Sequence, residues 1–167
     1  MATIVHECES GWTKQQYGDE QVCFKNFEQV KPSDSLETCN SVGATHVLPA
    51  NEAENSGLLA FMDSVEDVTY GTETIEFAWL NLNDAAEEGV WVGNDGEPTT
   101  PWRNWVDDAP GHWKKRLELN EGEHDYAWID NRPTSENRGK WDDAPNVHEN
   151  VICYKPLVAS RLSWNKK

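Results

Sequence analysis

Four cysteines constrain the fold of this 167-residue chain more than any other feature of its sequence. No two of them form a C-x-x-C pair, so the usual spacings of thiolate zinc sites and thioredoxin-like sites are absent. An even number of cysteines without such a motif favours two disulfides and an oxidising, extracellular compartment. Four cysteines allow three connectivities, and four free buried thiols in a cytosolic protein are the alternative.

The positions of the cysteines suggest what each disulfide could close. Cys8 and Cys23 flank a polar stretch, GWTKQQYGDE, which predicts a turn between short strands. Cys39 and Cys153 lie near opposite ends of the remaining chain. A bond between them would be worth roughly 4.7 kcal/mol in the chain-entropy model, the value for a loop of about 100 residues.

The charge of the chain limits the partners that suit it. Thirty acidic and 14 basic residues give a formal net charge of −16. Such a surface repels phosphate backbones, so we predict that the chain does not bind nucleic acid, whereas cations and ligands held through cations suit it better. No apolar run reaches membrane-spanning length, and the first ten residues do not resemble a signal peptide.

Hydrophobic periodicity predicts helices early in the chain and short strands later, in one α+β domain. Helices are predicted over 33–43, where Asp34 and Glu37 have the spacing of a capping box, and over 51–65, which Asn51 would cap. Aromatic and β-branched runs predict strands at 77–82, 90–92, 126–129, 139–141 and 151–154. Little regular pattern appears over 93–125, and an irregular segment of that length is usually functional.

Catalytic motifs are missing. The chain has no G-x-S-x-G and no EF-hand loop, and HENVI at 148–152 lacks the second His of the zinc-protease motif. Carboxylate pairs are abundant, but in so acidic a chain they do not indicate a glycosidase. We therefore predict that the protein is not an enzyme.

Several segments, taken in order, resemble the landmarks of the C-type lectin-like domain family. FAWLNLND at 77–84 resembles the family's W-I-G-L core strand with its acidic turn, and EEGVWVGNDGEP at 87–98 resembles E-G-x-W-x-W-S-D-G-x-P. Later matches are NW at 104–105, GEHDYAWI at 122–129 and GKWDDAP at 139–145. The resemblance spans about residues 8–156, which leaves 1–7 as an N-terminal extension and 157–167 as a short basic tail.

This resemblance implies a fold and a disulfide pattern. The fold is α+β, with two helices, small antiparallel sheets and a long irregular loop region as the binding face. Cys8 and Cys23 match the hairpin disulfide of the family's longer form. Cys39 and Cys153 match the disulfide that ties its first helix to its last strand.

The resemblance also implies Ca²⁺ ligands. Asp142 and Asp143 match the acidic pair that holds a Ca²⁺ in contact with sugar hydroxyls, with Glu123 or Asp125 completing the set from the preceding strand. Calcium takes six to eight oxygen ligands, so carboxylates from several loops suit it.

A second, structural calcium position is implied by Asp84 and Glu88, which have D-x-x-x-E spacing before Gly89. The alternative interpretation of all these acids is a solvated rim on an acidic protein.

The long loop departs from the family pattern. Sugar-binding members carry E-P-N or Q-P-D there, whereas this chain has Ala109-Pro110-Gly111, with no side-chain oxygen at either outer position. The primary sugar motif is therefore degenerate. Asp107 and Asp108 are candidate substitutes for the missing metal ligands.

Two further departures follow. Tyr126 and Asn146 occupy the positions of the family's inner disulfide, and residues 112–121 form a longer connection than usual. That connection brings in Lys114-Lys115-Arg116, which could serve an acidic or sulfated partner, form a solvated loop or be a processing site. Trp113 could stack on a sugar or pack within the loop. The candidate ligand-binding residues are Asp107, Asp108, Pro110, His112 and Trp113.

The sequence therefore predicts an extracellular recognition module. Calcium-assisted binding of a glycan or glycoprotein ranks ahead of calcium-independent binding of a protein ligand. An ice-binding or mineral-associated role ranks last. The ligand's identity and the oligomeric state are left open.

Overall fold

In the computed structural model of the chain, residues 4–107, 109–110, 124–157 and 159–161 are described. Over these residues the helices are a 3-10 turn (Pro32–Asp34), α1 (Ser35–Asn40) and α2 (Glu52–Asp63). The strands are β1 (Ile4–His6), β2 (Thr13–Tyr17), β3 (Glu20–Val30), β4 (Thr45–His46), β5 (Phe77–Asn83), β6 (Tyr126–Asp130), β7 (Trp141–Ala144), β8 (Glu149–Pro156) and β9 (Ala159–Arg161). The predicted α+β class is confirmed.

One mixed sheet organises the described part of the chain. Its strand order is β2-β3-β8-β5-β6-β7, with β4 pairing on β8, while β1 and β9 form a separate two-stranded sheet. Neighbours are antiparallel except for β5 and β8, which run parallel with Ala78 opposite Asn150. This parallel pair joins the smaller antiparallel groups into a single sheet.

The polar stretch between Cys8 and Cys23 was predicted to be a turn between short strands, and a turn does lie there, but it is shorter than predicted. Residues Thr13–Tyr17 form β2 and pair with β3 along their length. Only Gly18 and Asp19 separate the two strands, and Gly18 has a φ of +62° that favours glycine. Tyr17 is buried in the core, so its packing offsets the weak strand preference of its polar neighbours.

The two helices differ in how well the sequence predicted their starts. Asn51 caps α2, because its side-chain oxygen accepts a hydrogen bond from the Glu54 amide at 2.9 Å. The predicted capping box of α1 is wrong. Asp34 makes no side-chain cap bond, since it ends the 3-10 turn with φ −102° and ψ −1° instead of the extended conformation that a cap requires.

Two predicted strands also differ from the structure. Residues 90–92 form no strand and contribute only a single bridge between Val92 and Asn83. The strand predicted at 139–141 begins at Trp141 and continues to Ala144. Gly139 lies in the preceding turn with a φ of +88°, where a Cβ would come within 3.1 Å of the Leu59 side chain.

Both disulfides pair as the resemblance implied. Cys8 is bonded to Cys23, and Cys39 is bonded to Cys153. The second bond ties α1 to β8 and is fully buried beside Trp79 in one of the two apolar clusters of the core.

Tryptophans anchor the irregular segment to the sheet. Its described residues, 93–107, 109–110 and 124–125, contain no helix or strand. Trp102 and Trp105 contact the buried Trp141 edge-on, at ring-centroid distances of 5.4 Å and 6.1 Å, and Trp91 contacts Trp105 at 4.9 Å. This aromatic column fixes the base of the long loop against β7.

Candidate functional site

The candidate metal site lies where β5 ends and β6 begins. Asp84 directly follows β5 and Asp125 directly precedes β6. These strands are antiparallel neighbours, so the end of one meets the start of the other. The backbone amide of Asp84 donates a hydrogen bond to the carbonyl of Asp125 at 2.9 Å, which fixes the two residues side by side.

The loop after β5 adds a third carboxylate, from Glu88. Asp84 Oδ2 accepts a hydrogen bond from the Gly89 amide at 2.9 Å, which folds the loop back on its own start. Gly89 has a φ of +81°, a conformation in which glycine is favoured. One carboxylate oxygen each from Asp84, Glu88 and Asp125 lies within 4.8 Å of the others. In the described part of the chain this is the one such group of three metal-ligating side chains.

The electrostatics of this group suit a hard cation. Asp84 is only 2% exposed, Asp125 is half-buried and Glu88 is exposed. Burial raises the pKa of the Asp125 carboxyl above its usual range, and the adjacent His124 opposes that shift. Three carboxylates this close repel one another, and an oxygen-binding cation between them would offset the repulsion. The donor set therefore fits Ca²⁺.

The acidic pair on β7 has a different setting. Asp142 lies opposite Trp128 and Asp143 opposite Ala127, and Asp143 is fully buried. The Asp143 amide donates a hydrogen bond to Asp142 Oδ1 at 2.9 Å. Glu123 or Asp125 was predicted to complete this set. Glu123 lies outside the described residues, and Asp125 lies with Asp84 and Glu88. The assignment of Asp142 and Asp143 to a sugar-associated Ca²⁺ stays a prediction.

The loop residues predicted to bind ligand are described only in part. Asp107 is exposed, and Pro110 is half-buried after a cis peptide bond with Ala109. The Ala109 amide donates a hydrogen bond to the carbonyl of Val106 at 3.0 Å. Asp108, Gly111, His112, Trp113 and Lys114-Lys115-Arg116 lie outside the described residues.

A polar network that the sequence did not predict centres on Asn94 of the NDG segment. Its backbone N–H donates a hydrogen bond to Asn81 Oδ1 at 2.7 Å, and its side-chain amide donates to Ser35 Oγ at 2.7 Å. The Asn94 side-chain oxygen accepts from Asn83 at 2.8 Å. Asn94 thus links the loop to β5 and α1.

His46 on β4 belongs to the same network. It is 1% exposed, and its Nε2 lies 2.9 Å from the carbonyl oxygen of Trp79, which can only accept a hydrogen bond. Nε2 therefore carries the proton, and Nδ1 faces the Asn94 amide at 3.4 Å. Burial lowers the pKa of His46 to about 4, so the ring is neutral at physiological pH.

Comparisons with known proteins agree with this fold. No protein-family model matches the chain. The CD209 antigen of Nomascus concolor is 30% identical over 136 residues, which cover 81% of this chain and 28% of that protein. The chain thus spans well under half of the length of that relative.

Two solved structures share the fold over nearly their whole length. The mouse scavenger receptor C-type lectin carbohydrate-recognition domain superposes with a TM-score of 0.64 at 21% identity, covering 92% of this chain and 99% of that one. A calcium-independent type II antifreeze protein superposes with a TM-score of 0.63 at 18% identity, covering 93% and 98%.

The described residues therefore adopt the C-type lectin fold, stabilised by two disulfides. The chain belongs to the C-type lectin-like domain family. Within the described ranges, no helix is both long and apolar enough to cross a membrane.

Proposed function

We propose that the protein is an extracellular, non-catalytic recognition domain that binds glycans with the assistance of Ca²⁺. The observation that carries this proposal is the convergence of Asp84, Glu88 and Asp125 at the end of a core strand. The fold is shared with a domain whose name describes carbohydrate recognition. Both disulfides are consistent with an oxidising compartment.

Asp84, Glu88 and Asp125 would hold the ion. Bound Ca²⁺ would neutralise the three carboxylates and order the loop between Asp84 and Gly89. Asp84 and Asp125 are fixed by their backbone hydrogen bond, so Glu88, the exposed member, has the most to gain in order. Asp142 and Asp143 remain proposed ligands of a sugar-associated Ca²⁺. The proposed contacts to the ligand remain Asp107, Asp108, Pro110, His112 and Trp113.

Thermal melting of the oxidised protein during a CaCl₂ titration tests this metal site. A ligand that binds only the folded state adds about 2.7 kcal/mol at 100 times its dissociation constant. For a domain of this size, 1 kcal/mol shifts the melting temperature by about 2–4 °C. We expect a saturable rise of roughly 5–10 °C with Ca²⁺ that EDTA reverses and Mg²⁺ does not reproduce.

Two neighbouring substitutions make a matched pair for this titration. Glu88→Gln removes one proposed ligand, whereas Glu87→Gln neutralises an exposed carboxylate in the same loop outside the three-member group. Glu88→Gln should weaken the calcium response and Glu87→Gln should keep it. An equal response from both variants would mean that the three carboxylates do not form the site.

A glycan screen with and without chelator tests the ligand class. Binding to a subset of neutral glycans that disappears with EDTA supports the proposal. If the domain binds no glycan under either condition, although calcium shifts its melting temperature, the metal site is structural only.

A second candidate function is calcium-independent recognition of a protein. The replacement of both outer motif residues, at Ala109 and Gly111, favours it, because neither side chain can ligate a metal. A structural neighbour described as calcium-independent has the same fold. If the domain binds a protein ligand in EDTA and binds no glycan in the screen, this alternative is supported over the first.

A further inference from the structure

A cleft whose lining carries a net positive charge lies beside α2. Its volume is about 490 Å³, within the range of small-ligand sites. The lining residues come from α2, from the segment Trp102–Asn104 and from the turn before β7. They are Glu52, Asn55, Ser56, Leu59, Trp102, Arg103, Asn104, Arg138, Gly139 and Lys140.

The charge of this cleft contrasts with that of the whole molecule. Three of the 14 basic residues line it, Arg103, Arg138 and Lys140, although the net charge of the chain is −16. Arg138 is paired with Asp63 at 2.7 Å, and Glu52 is the one carboxylate in the lining. Arg103 and Lys140 are therefore the cations available to a ligand.

The hydrogen bonds of these two cations go to neutral oxygens. Arg103 donates to the carbonyls of Thr100 at 2.7 Å and Trp102 at 3.0 Å, and to Thr99 Oγ1 at 3.1 Å. Lys140 Nζ donates to Asn104 Oδ1 at 3.2 Å. Among the ion pairs between described residues, none involves Arg103 or Lys140. Burial, with no carboxylate contributing, lowers the pKa of Arg103.

The wall that carries these cations is held in place by buried hydrogen bonds. The carbonyl of Gly139 accepts from Asn55 Nδ2 at 3.0 Å and from Asn104 Nδ2 at 2.7 Å. Asn55 is 5% exposed, and its side-chain oxygen accepts from the Trp141 indole at 2.9 Å. The turn before β7, the long loop and α2 are thus joined at one point, so the cleft is organised before any ligand arrives.

An aromatic ring completes the lining. Trp102 is half-buried and its orientation is fixed by the edge-on contact with Trp141 at 5.4 Å. A partly exposed indole offers an apolar surface on which a sugar ring can stack, while the guanidinium and ammonium groups favour an oxyanion on the same molecule.

We propose that this cleft binds an acidic saccharide without calcium. Arg103 and Lys140 hold its sulfate or carboxylate group, and Trp102 contacts its ring. The choice of a saccharide rests on the proposed glycan-binding function, whereas the oxyanion site rests on the charges of the cleft alone.

Calorimetric titration in EDTA tests this proposal separately from the calcium site. The probes are a sulfated disaccharide, its desulfated counterpart, sodium sulfate and a short polyglutamate peptide. We expect the sulfated disaccharide to bind at least tenfold more tightly than the other three, and to weaken as salt rises. If polyglutamate binds as tightly as the sulfated disaccharide, the saccharide assignment is wrong.

Two exposed lysines provide matched variants. Lys140→Gln removes a proposed cation, and Lys14→Gln removes a lysine whose Nζ likewise bonds one neutral oxygen, the carbonyl of His6 at 3.0 Å. We expect about a tenfold loss of affinity for Lys140→Gln and no loss for Lys14→Gln. Arg103→Lys, which keeps the charge but not the planar fork, should lose affinity to a smaller extent.

The basic run at 114–116 supplies the competing explanation. If neutralising Lys114, Lys115 and Arg116 abolishes binding while Lys140→Gln leaves it unchanged, the cleft is not the site and the proposal is overturned. All of these titrations omit calcium. A negative result would therefore not bear on the calcium site of Asp84, Glu88 and Asp125, which the melting experiment tests separately.

Discussion

Two regions of this domain bring carboxylates together, and they resolve the repulsion in different ways. The Asp84 cluster comprises Asp84, Glu88 and Asp125. The Asp67 cluster comprises Asp67, which is 2% exposed, and Glu149, with Asn150 between them.

The Asp67 cluster is satisfied by the protein itself. Asn150 donates its side-chain amide to Asp67 Oδ2 at 2.7 Å and to Glu149 Oε1 at 3.3 Å. Asp67 Oδ1 accepts from the Tyr70 amide at 3.2 Å. Burial, followed by the charge of Asp67, raises the pKa of Glu149 to about 7, so this carboxyl group is partly protonated near neutral pH.

The Asp84 cluster has three acids instead of two, and one of them, Glu88, is exposed. In the Asp67 cluster the Asn150 side-chain amide lies between the two acids. In the Asp67 cluster an amide and partial protonation of Glu149 offset the repulsion. In the Asp84 cluster we propose that a cation does so. Clustered carboxylates therefore do not by themselves indicate a metal site.

The largest effect is expected from breaking the Asp67 cluster at its centre. Asn150→Ala removes the shared donor and leaves a buried carboxylate without it, so we expect a loss of about 3 kcal/mol in the free energy of unfolding. Urea unfolding measures this, with Asn137→Ala in an exposed turn as the control. A loss below about 1 kcal/mol would mean that water replaces the amide.

The next effect concerns pH. The pKa of Glu149 is raised on folding, so its stabilising contribution is complete below its ordinary value of 4.5 and is lost as the pH rises through about 7. Allowing for partial solvent exposure, we expect the wild type to lose about 1 kcal/mol between pH 6 and 8, and Glu149→Gln to remove that loss.

His46 gives the opposite slope and must be separated from Glu149. Its pKa is lowered on folding, so its contribution is present above the ordinary value of 6.5 and is lost as the pH falls through about 4. Urea titrations from pH 6.5 down to 4 should show the free energy of unfolding falling by roughly 3 kcal/mol from this residue. An unchanged slope in His46→Gln would contradict the assignment.

A smaller effect is expected in the Asp84 cluster without calcium. Asp125→Asn removes one of three repelling charges, so in EDTA we expect the variant to be about 0.5–1 kcal/mol more stable than the wild type. With saturating CaCl₂ the order should reverse, because the variant has lost a ligand. If the variant is less stable under both conditions, Asp125 serves packing and not metal binding.

The smallest effect is that of salt. Screening acts on exposed charges more than on buried ones, so in EDTA added KCl should stabilise the wild type by about 0.5 kcal/mol through the Asp84 cluster. Asp125→Asn should reduce this gain, and Glu149→Gln should not. Equal reduction by both variants would remove the distinction between the two clusters.

The sequence predicted correctly those features whose interacting residues are close together in the chain. Asn51 and Glu54 are three residues apart, and their cap was predicted correctly because one turn of helix contains both partners. Asp84 and Glu88 likewise share one loop. The strand predicted at 90–92 failed because its β-branched run meets only Asn83 across a single bridge, and no neighbouring strand continues the pairing.

Longer-range features were outside the reach of these patterns. Asp125 is brought to Asp84 only by the pairing of β5 with β6, so the three-member cluster required the fold. Arg103 lies within the long irregular segment and Lys140 directly before β7, and neither stood out in the sequence. The sequence instead indicated the basic run at 114–116 as a possible contact to an acidic partner, because adjacent charges can be recognised without a structure.

The two disulfides also decide how the domain would respond to a pull on its ends. Force applied at the termini would first peel β1 from β9, then pass through the Cys8–Cys23 bond, along residues 23–39 and across the Cys39–Cys153 bond. Residues 40–152 lie outside that covalent path. The Asp84 cluster and the basic cleft would therefore carry no direct tension when the two ends are pulled apart.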